Sequence, residues 1–527
     1  MLRSSDVDRA RKRSTVSRCR AGAAARRRRF DLKYDRRSRF FACAKAADVF
    51  AAFCRSVIHE WTRMREVLPN STEPRCLLGA RAVQPGDGQY EIQRHVWNGV
   101  HDRRPAVIAR CMNADEVSAV LRWARSEKLA VSVRGGGHNV AGSAVADDAV
   151  MIDLTLMNSV DVDPVAMVAA AGGGALLRDL DAATTPYGLA CPAGVVSHTG
   201  LGGLTLGGGY GWLARKWGLT CDHLVAAEVV LADGAVVEAS PTEHADLFWA
   251  LRGGGGNFGV VTRFTLRLHS VGPVVHQTGV YALATAGEAL VAYAGFAERQ
   301  QRDLHTVGAL KIAGDHEWIP ERLRGQPALF LTAAWFGPES DGPDAIALLF
   351  RSAPPDGRLD QVLSYAALQA LGDHSEPAGN RYFTKSCYLA DITSTAATAL
   401  VEAGHAITSP LSSIDFEFLR GAIADVPDAE SAFPNRDAPY IVTASAQWTI
   451  ADEDTTHAQW SRQTVDSLVP WQHGGAYVNY VQDARHQSTT DLYGHSRYRR
   501  LAKTKALYDP ENLLRHNQNI TPVARTS

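Results

Sequence analysis

Three consecutive glycines run into a histidine at Arg134-Gly135-Gly136-Gly137-His138-Asn139, directly after the apolar stretch Ala130 to Val133. Lacking Cβ, glycine adopts positive φ and lets a ligand approach the main chain, while successive N–H groups turn toward an anion such as a pyrophosphate. Gly142 and Ser143 continue this loop. A second cluster, Ser197 to Gly211, supplies Thr199, Gly200, Gly202, Gly203, the triplet Gly207-Gly208-Gly209, Tyr210 and Gly211. Its spacing is not Gly-x-Gly-x-x-Gly between a strand and a helix, so the dinucleotide fingerprint of the Rossmann fold does not apply. A third cluster, Arg252 to Gly259, immediately precedes Val260. One such loop reads equally well as a plain turn, but three within one unit point to an extended cofactor lying along a cleft.

The elements that must position these loops follow from periodicity. Asn113 with Glu116 is a capping-box pair, and Val117, Val120, Leu121 and Ala124 recur at helical spacing, which predicts a helix over 114–127. Residues 130–133 and 151–154 read as strands on either side of the first loop. A helix through Leu176, Leu177, Leu180 and Ala183 ends near Gly188, and a long Gly-rich loop is expected over 188–211. Val225 to Ala239 reads as a hairpin about Asp233-Gly234. Val260, Thr262, Phe264, Leu266 and Leu268 share one face of a strand that closes the unit. Residues 273–477 mix alternating strands (328–336, 413–419, 441–450) with amphipathic helices (286–300, 393–404, 456–468) and lack glycine loops, as an α+β substrate domain would. Residues 478–527 return to short motifs around the Asp509-Pro510 turn.

Bulk composition sets limits. The 527 residues carry a net charge of -1 with 46% hydrophobic content, so no global field draws the chain to nucleic acid or an anionic membrane. Eight scattered cysteines show no C-x-x-C pair, which leaves neither a metal site nor a disulfide framework. No apolar run reaches spanning length. Residues 1–40 are different, with thirteen Arg and two Lys against four Asp. That Arg-rich extension, taken to residue 75, reads as an upstream segment outside the working enzyme; an export signal around Arg36-Arg37 and a nucleic-acid arm are the alternatives. A cytoplasmic protein is the expectation, with twin-arginine export as the alternative.

The motif order R-G-G-G-H-N, G-L-G-G-L-T-L-G-G-G-Y-G, W-L-A-R-K-W-G-L-T-C-D-H-L and F-W-A-L-R-G-G-G-G-N-F-G-V-V-T resembles the FAD domain of berberine bridge enzyme-like oxidases, a branch of the vanillyl-alcohol oxidase superfamily. Asn479-Tyr480, Tyr493-Gly494 and residues 508–520 resemble that family's closing segment. The resemblance spans about 76–522. It implies an α+β fold with a two-part PCMH-type FAD-binding domain over 76–272. A substrate domain with an antiparallel sheet backed by helices follows over 273–477, and 478–527 returns to the FAD domain. It also implies that Arg134 to Asn139, Gly142, Ser143, Thr199, Gly200, Gly202, Gly203, Gly207 to Gly209, Gly211, Asp222, Gly259, Val260 and Asn517 hold FAD, with His138 bonded to the flavin 8α carbon. Many relatives add a cysteine link eleven residues before the glycine triplet; here that place is Val196, and Cys191 lies five residues too early, so a single bond is expected. A histidine that plant-like members carry three residues before the triplet is replaced by Leu204.

The resemblance further implies a tyrosine base that takes a proton from an alcohol while hydride passes to the flavin. Tyr480 is the best match, and Tyr477, read as sharing its face on a strand, is the other candidate. Tyr210 and Gln447 are candidates for the pocket wall, and Arg381 to Ser386 is read as structural. Three functions follow in order: an FAD oxidase acting on a hydroxyl of a sugar, glycoside or secondary metabolite with oxygen as acceptor; a dehydrogenase with noncovalent flavin and another acceptor; and a nonenzymatic flavin-binding protein.

Overall fold

The computed structural model describes residues 73–482 and 488–524. The Arg-rich extension assigned to 1–75 lies outside them except for its last three residues, which open the short helix Pro74–Leu78. The compact unit runs over Thr72–Ser527 and contains three main sheets.

The first sheet has four strands in the order Ala82–Val83, Val107–Arg110, Val150–Asp153, Val131–Arg134, with the last three parallel. Parallel neighbours need a crossover. The helix Ala114–Ser126 carries the chain from Val107–Arg110 across the intervening strand to Val131–Arg134, capped by the Asn113 side chain on the Glu116 N–H and burying Val117, Val120, Leu121 and Ala124. The second sheet is antiparallel, in the order Val160–Asp163, Val168–Gly172, Val260–Arg267, Leu224–Val230, Val236–Ala239. Its central strand begins at Val260, so the third glycine loop feeds straight into the core.

The third sheet has seven antiparallel strands, in the order Gly357–Leu363, Val274–Ala282, Pro327–Trp335, Leu304–Ile312, Ser413–Phe418, Tyr440–Trp448, Arg381–Leu389. Alternation sorts its side chains between two faces. Ile414, Phe416, Phe418, Val442, Ala444, Ala446, Phe383, Cys387 and Leu389 join the apolar core formed with the helices Leu283–Ala297, Gly342–Ser352, Ser394–His405 and Asp454–Ser467. The opposite face carries Tyr382, Thr384, Ser386 and Tyr388, Ser413, Asp415 and Glu417, Thr443, Ser445 and Gln447, and His305. That face is polar although much of it is inaccessible to solvent.

Two local expectations are corrected. The 188–211 stretch is not a continuous loop, because Leu201–Leu206 forms a helix with Leu201 and Leu206 in the core. Tyr477 does not lie on a strand either. It precedes the 3-10 turn Val478–Tyr480, whose closing Tyr480 N–H donates to the Tyr477 carbonyl at 2.9 Å.

Candidate active site

The first glycine loop is anchored where its strand ends. The Arg134 guanidinium donates to both oxygens of Asp153, at 2.6 and 3.2 Å, and Asp153 is fully buried. Arg134 also donates to the main-chain carbonyls of Gln93 and His95, so it acts as a strut fixing the loop's origin. Beyond it, glycine is required by contact: a Cβ on Gly136 would sit 2.5 Å from Gly200 Cα, and one on Gly200 would sit 2.4 Å from the Gly136 nitrogen. The first and second glycine loops therefore pass each other backbone against backbone. Asn139 Oδ1 accepts the N–H groups of Ala141 and Ser143, and Gly142 turns at φ +65° against His101, so these three residues hold the loop's internal shape.

His138 is held by rings. Its imidazole stacks on Trp97 at 4.1 Å, Trp97 stacks on Tyr382 at 3.8 Å, and the Tyr382 hydroxyl donates to the Pro377 carbonyl while accepting from Gln447 Nε2 at 3.2 Å. His138 Nε2 lies 3.1 Å from His198 Nδ1. Burial, and then the neighbouring His198, press the His138 pKa down to about 3, so the ring is neutral at physiological pH.

The glycine triplet is shaped from the other side. A Cβ on Gly207 would meet Asn479 Oδ1 at 2.0 Å, and one on Gly208 would meet the Phe433 ring at 2.6 Å. The Gly209 N–H donates to the Tyr477 hydroxyl at 2.9 Å. Gly211 abuts the Ala193 carbonyl and Gly259 abuts Val229, while Val260 pairs in the sheet with Val230; packing alone accounts for these three. The Thr199 carbonyl accepts the Leu177 N–H, and Gly202 packs against Phe264. Gly203 and Gly256, by contrast, face open space.

The C-terminal segment closes over the third loop. Asn257 Oδ1 accepts the Ile520 N–H at 3.0 Å, Lys505 Nζ donates to the Asn257 carbonyl at 2.7 Å, and Asn517 Nδ2 donates to the Gly256 carbonyl at 3.0 Å. His516 Nε2, Asn517 Oδ1 and Asn519 Oδ1 are buried without a hydrogen-bond partner. An unpaired buried polar atom costs about 1–3 kcal/mol. A run of them beside open glycine backbone therefore suits a long polar ligand, and FAD fits this donor and acceptor set. Asp222 is placed differently from the sequence expectation: its carboxylate takes two bonds from Arg436, at 2.6 and 3.0 Å, and one from the Leu219 N–H, so it is a buried strut.

Beside the glycine triplet, four phenols converge. Tyr210 stacks obliquely on Tyr477 at 4.6 Å, and Tyr480 meets Tyr477 edge-on at 4.9 Å and Tyr210 at 6.2 Å. Tyr388, fully buried, joins the same cluster, and the hydroxyls of Tyr388 and Tyr210 have no partner. The Tyr477 hydroxyl accepts from both Gly209 N–H and Asn479 Nδ2, the latter at 2.7 Å, whereas Tyr480 is only half-buried. Burial, and after it the Glu417 charge, hold the Tyr480 hydroxyl well above its ordinary pKa. Glu417, Asp415 and Glu376 all lie within electrostatic reach of Tyr480; burial raises Asp415 to about 6 and Glu376 to about 8.

Residues 105–240 match the FAD binding domain family, and residues 476–521 match the family described as berberine and berberine like. The (R)-6-hydroxynicotine oxidase of Paenarthrobacter nicotinovorans is 30% identical over 463 residues, covering 84% of this chain and 97% of that protein. The chain belongs to the berberine bridge enzyme-like FAD-linked oxidoreductases. An FAD-linked oxidoreductase of Dictyostelium discoideum is 28% identical over 441 residues, covering 83% of this chain and 94% of its own. Among solved structures, 6-hydroxy-D-nicotine oxidase from Arthrobacter nicotinovorans superposes with a TM-score of 0.74 at 27% identity, covering 84% of this chain and 98% of that one. Berberine bridge enzyme from Eschscholzia californica shares the fold, with a TM-score of 0.75 at 23% identity over 84% of this chain and 97% of its own. This FAD-linked oxidoreductase thus has the α+β architecture expected from its motifs, and among its described residues no helix is long and apolar enough to cross a membrane.

Sequence reasoning missed His198, Trp97, Asn479 and the three carboxyl groups. Asp415 and Glu417 had a readable signal: they alternate with Ile414, Phe416 and Phe418, which marks a strand with one charged face. Trp97 gave none, since its position depends on contacts with Tyr382, 285 positions away.

Proposed function

We propose that this oxidoreductase oxidises a hydroxyl of a small molecule, a sugar, glycoside or secondary metabolite, with FAD joined covalently to His138 and dioxygen as the acceptor. FAD, when bound, supplies the two-electron acceptor for the donor's hydride. Arg134 and the paired glycine loops hold the cofactor's cleft open, His138 presents a neutral ring nitrogen, and Asn517 and its neighbours offer unpaired acceptors to its polar atoms. Tyr480 is the proton acceptor. The observation that carries this role is the contrast between the two phenols: the Tyr477 hydroxyl is locked by Gly209 and Asn479, while Tyr480 is only half-buried. Because Tyr480 stays protonated at neutral pH, it can take the donor's proton only by passing its own phenolic proton on, and the nearby carboxylates Glu417 and Asp415 are the groups to receive it. Tyr210 packs against both phenols, and Gln447 acts behind them by steadying the Tyr382 ring column.

A second reading has its own support. Phenol faces grouped with Asp415 and Glu417 suit a donor that carries a protonated nitrogen, and the nicotine-oxidising relative is named for such a molecule. A screen of sugars, aromatic alcohols and cyclic amines, reading peroxide in air and dye reduction without air, separates the readings. Peroxide from a hydroxyl donor supports the first; turnover confined to amines, or to dye, overturns its donor or its acceptor. Acid precipitation tests the tether: the yellow colour should stay with the wild-type pellet and leave it in His138→Ala.

A further inference from the structure

We infer that His198 is the proton acceptor that allows His138 to become joined to FAD. The inference rests on the reading of His138 as the tether.

The pair is prearranged. His138 Nε2 and His198 Nδ1 are 3.1 Å apart, with ring centroids at 5.0 Å and a 37° tilt. The Trp97 stack limits rotation of the His138 ring. The main chain around His198 is fixed on both sides: the Ser197 N–H and hydroxyl donate to Asp373 at 2.8 and 2.6 Å, the Ser197 carbonyl accepts the Arg178 N–H, and the Thr199 carbonyl accepts the Leu177 N–H. Two half-buried imidazoles held at this distance share one proton, and one of them must accept.

The chemistry of tethering needs that acceptor. Joining an imidazole to the ring methyl breaks one C–H bond of the methyl and one N–H bond of His138, and forms one C–N bond. The electron pair of the C–H bond stays on the isoalloxazine ring and passes to dioxygen, giving peroxide with the two released protons. One proton comes from the methyl. The other must leave His138. Its Nε2 faces His198, so Nδ1 is the nitrogen left to form the bond, and the ring then sheds its Nε2 proton to His198 Nδ1. A fixed base at hydrogen-bond distance takes that proton as the cationic ring develops and lowers the barrier in the manner of general base catalysis.

The test reads tether formation rather than turnover. Wild type, His198→Ala and His198→Gln are purified and assayed for flavin per polypeptide, then for the share that stays in the acid pellet. Both variants are expected to hold FAD in the folded state but release most of it in acid, and to tether it on aerobic incubation about 10²- to 10⁴-fold more slowly than wild type. Added imidazole should accelerate the Ala variant, which a purely structural role would not permit. Glutamine keeps the size and a hydrogen bond without basicity, so it covers the case in which Ala fails to fold. Full tethering at harvest in either variant overturns the inference, as does absence of all flavin from the Gln variant, which would make His198 a binding residue. Release of the wild-type flavin by acid overturns the reading of His138 itself.

Discussion

Tyr477 and Tyr480 pack edge-on with different freedoms, and their single-atom deletions should separate accordingly. Tyr480→Phe removes one oxygen from a half-buried phenol. Binding and the flavin spectrum should persist while flavin reduction by a turned-over donor slows about 10²- to 10⁴-fold, the range of one general base; reoxidation does not need that hydroxyl. Tyr477→Phe instead deprives the Gly209 N–H and the Asn479 amide of an acceptor in a buried setting. It should lower stability by about 1–3 kcal/mol in thermal or denaturant unfolding and slow reduction much less. Stopped-flow reduction decides the assignment: near-normal rates in Tyr480→Phe with a collapse in Tyr477→Phe would move the base to Tyr477. At this scale the sequence motifs named both tyrosines as candidates but not the hydrogen bonds that distinguish them. A strand was expected, whereas residues three apart in a 3-10 turn eclipse one another, which brings both rings together.

Elements whose patterns are local were legible and elements made by tertiary contact were not. The helix Ala114–Ser126 was marked by its cap and apolar spacing. The helix Leu201–Leu206 was not, because two glycines in six residues oppose helix formation and the turn persists through burial of Leu201 and Leu206. The final long helix, His495–Tyr508, also escaped, since its commitment to the site lies in one buried cation. Lys505 is fully buried and donates to Asp509, the Asn257 carbonyl and the Leu514 carbonyl, tying the third glycine loop to the closing segment. Lys505→Met strands the Asp509 charge and should cost about 3–5 kcal/mol, with flavin fluorescence unquenched at a lower temperature than in wild type. On the helix Leu177–Thr184, Asp181 is buried, and burial, offset only in part by Gln369, raises its pKa from 3.8 to about 7. The folded state thus holds a proton that the unfolded state releases between about pH 4 and 7. Stability from this group is complete below pH 4 and is lost as pH rises toward 7. Asp181→Asn should therefore leave the melting temperature near pH 4 little changed and raise it at pH 8. A variant less stable than wild type at pH 8 would contradict this.

Taken whole, the chain places every residue assigned to cofactor and donor within the compact unit Thr72–Ser527, while its strongest charge imbalance lies in residues 1–40. This predicts where truncation begins to hurt. A protein starting at Met64 keeps the complete unit and should match the full chain in melting temperature and in flavin per polypeptide. A start at Gln84 is different. It deletes Leu78, Ala82 and Val83, each at most 4% exposed, and with them the strand Ala82–Val83 that pairs antiparallel with Val107–Arg110. Leu78 and Ala82 pack in the core formed with Val107, Val120, Leu121 and Ile152, on the sheet whose other edge strand leads into His138. Losing one buried leucine costs about 1.5–3 kcal/mol before the unpaired strand edge is considered. The shorter protein should melt earlier and release its flavin fluorescence at a lower temperature than the Met64 form. Equal melting of the two truncations would show that the edge strand contributes nothing to the sheet that carries the flavin loop. A Met64 form that is insoluble or flavin-free would show that the Arg-rich segment is needed by the working enzyme.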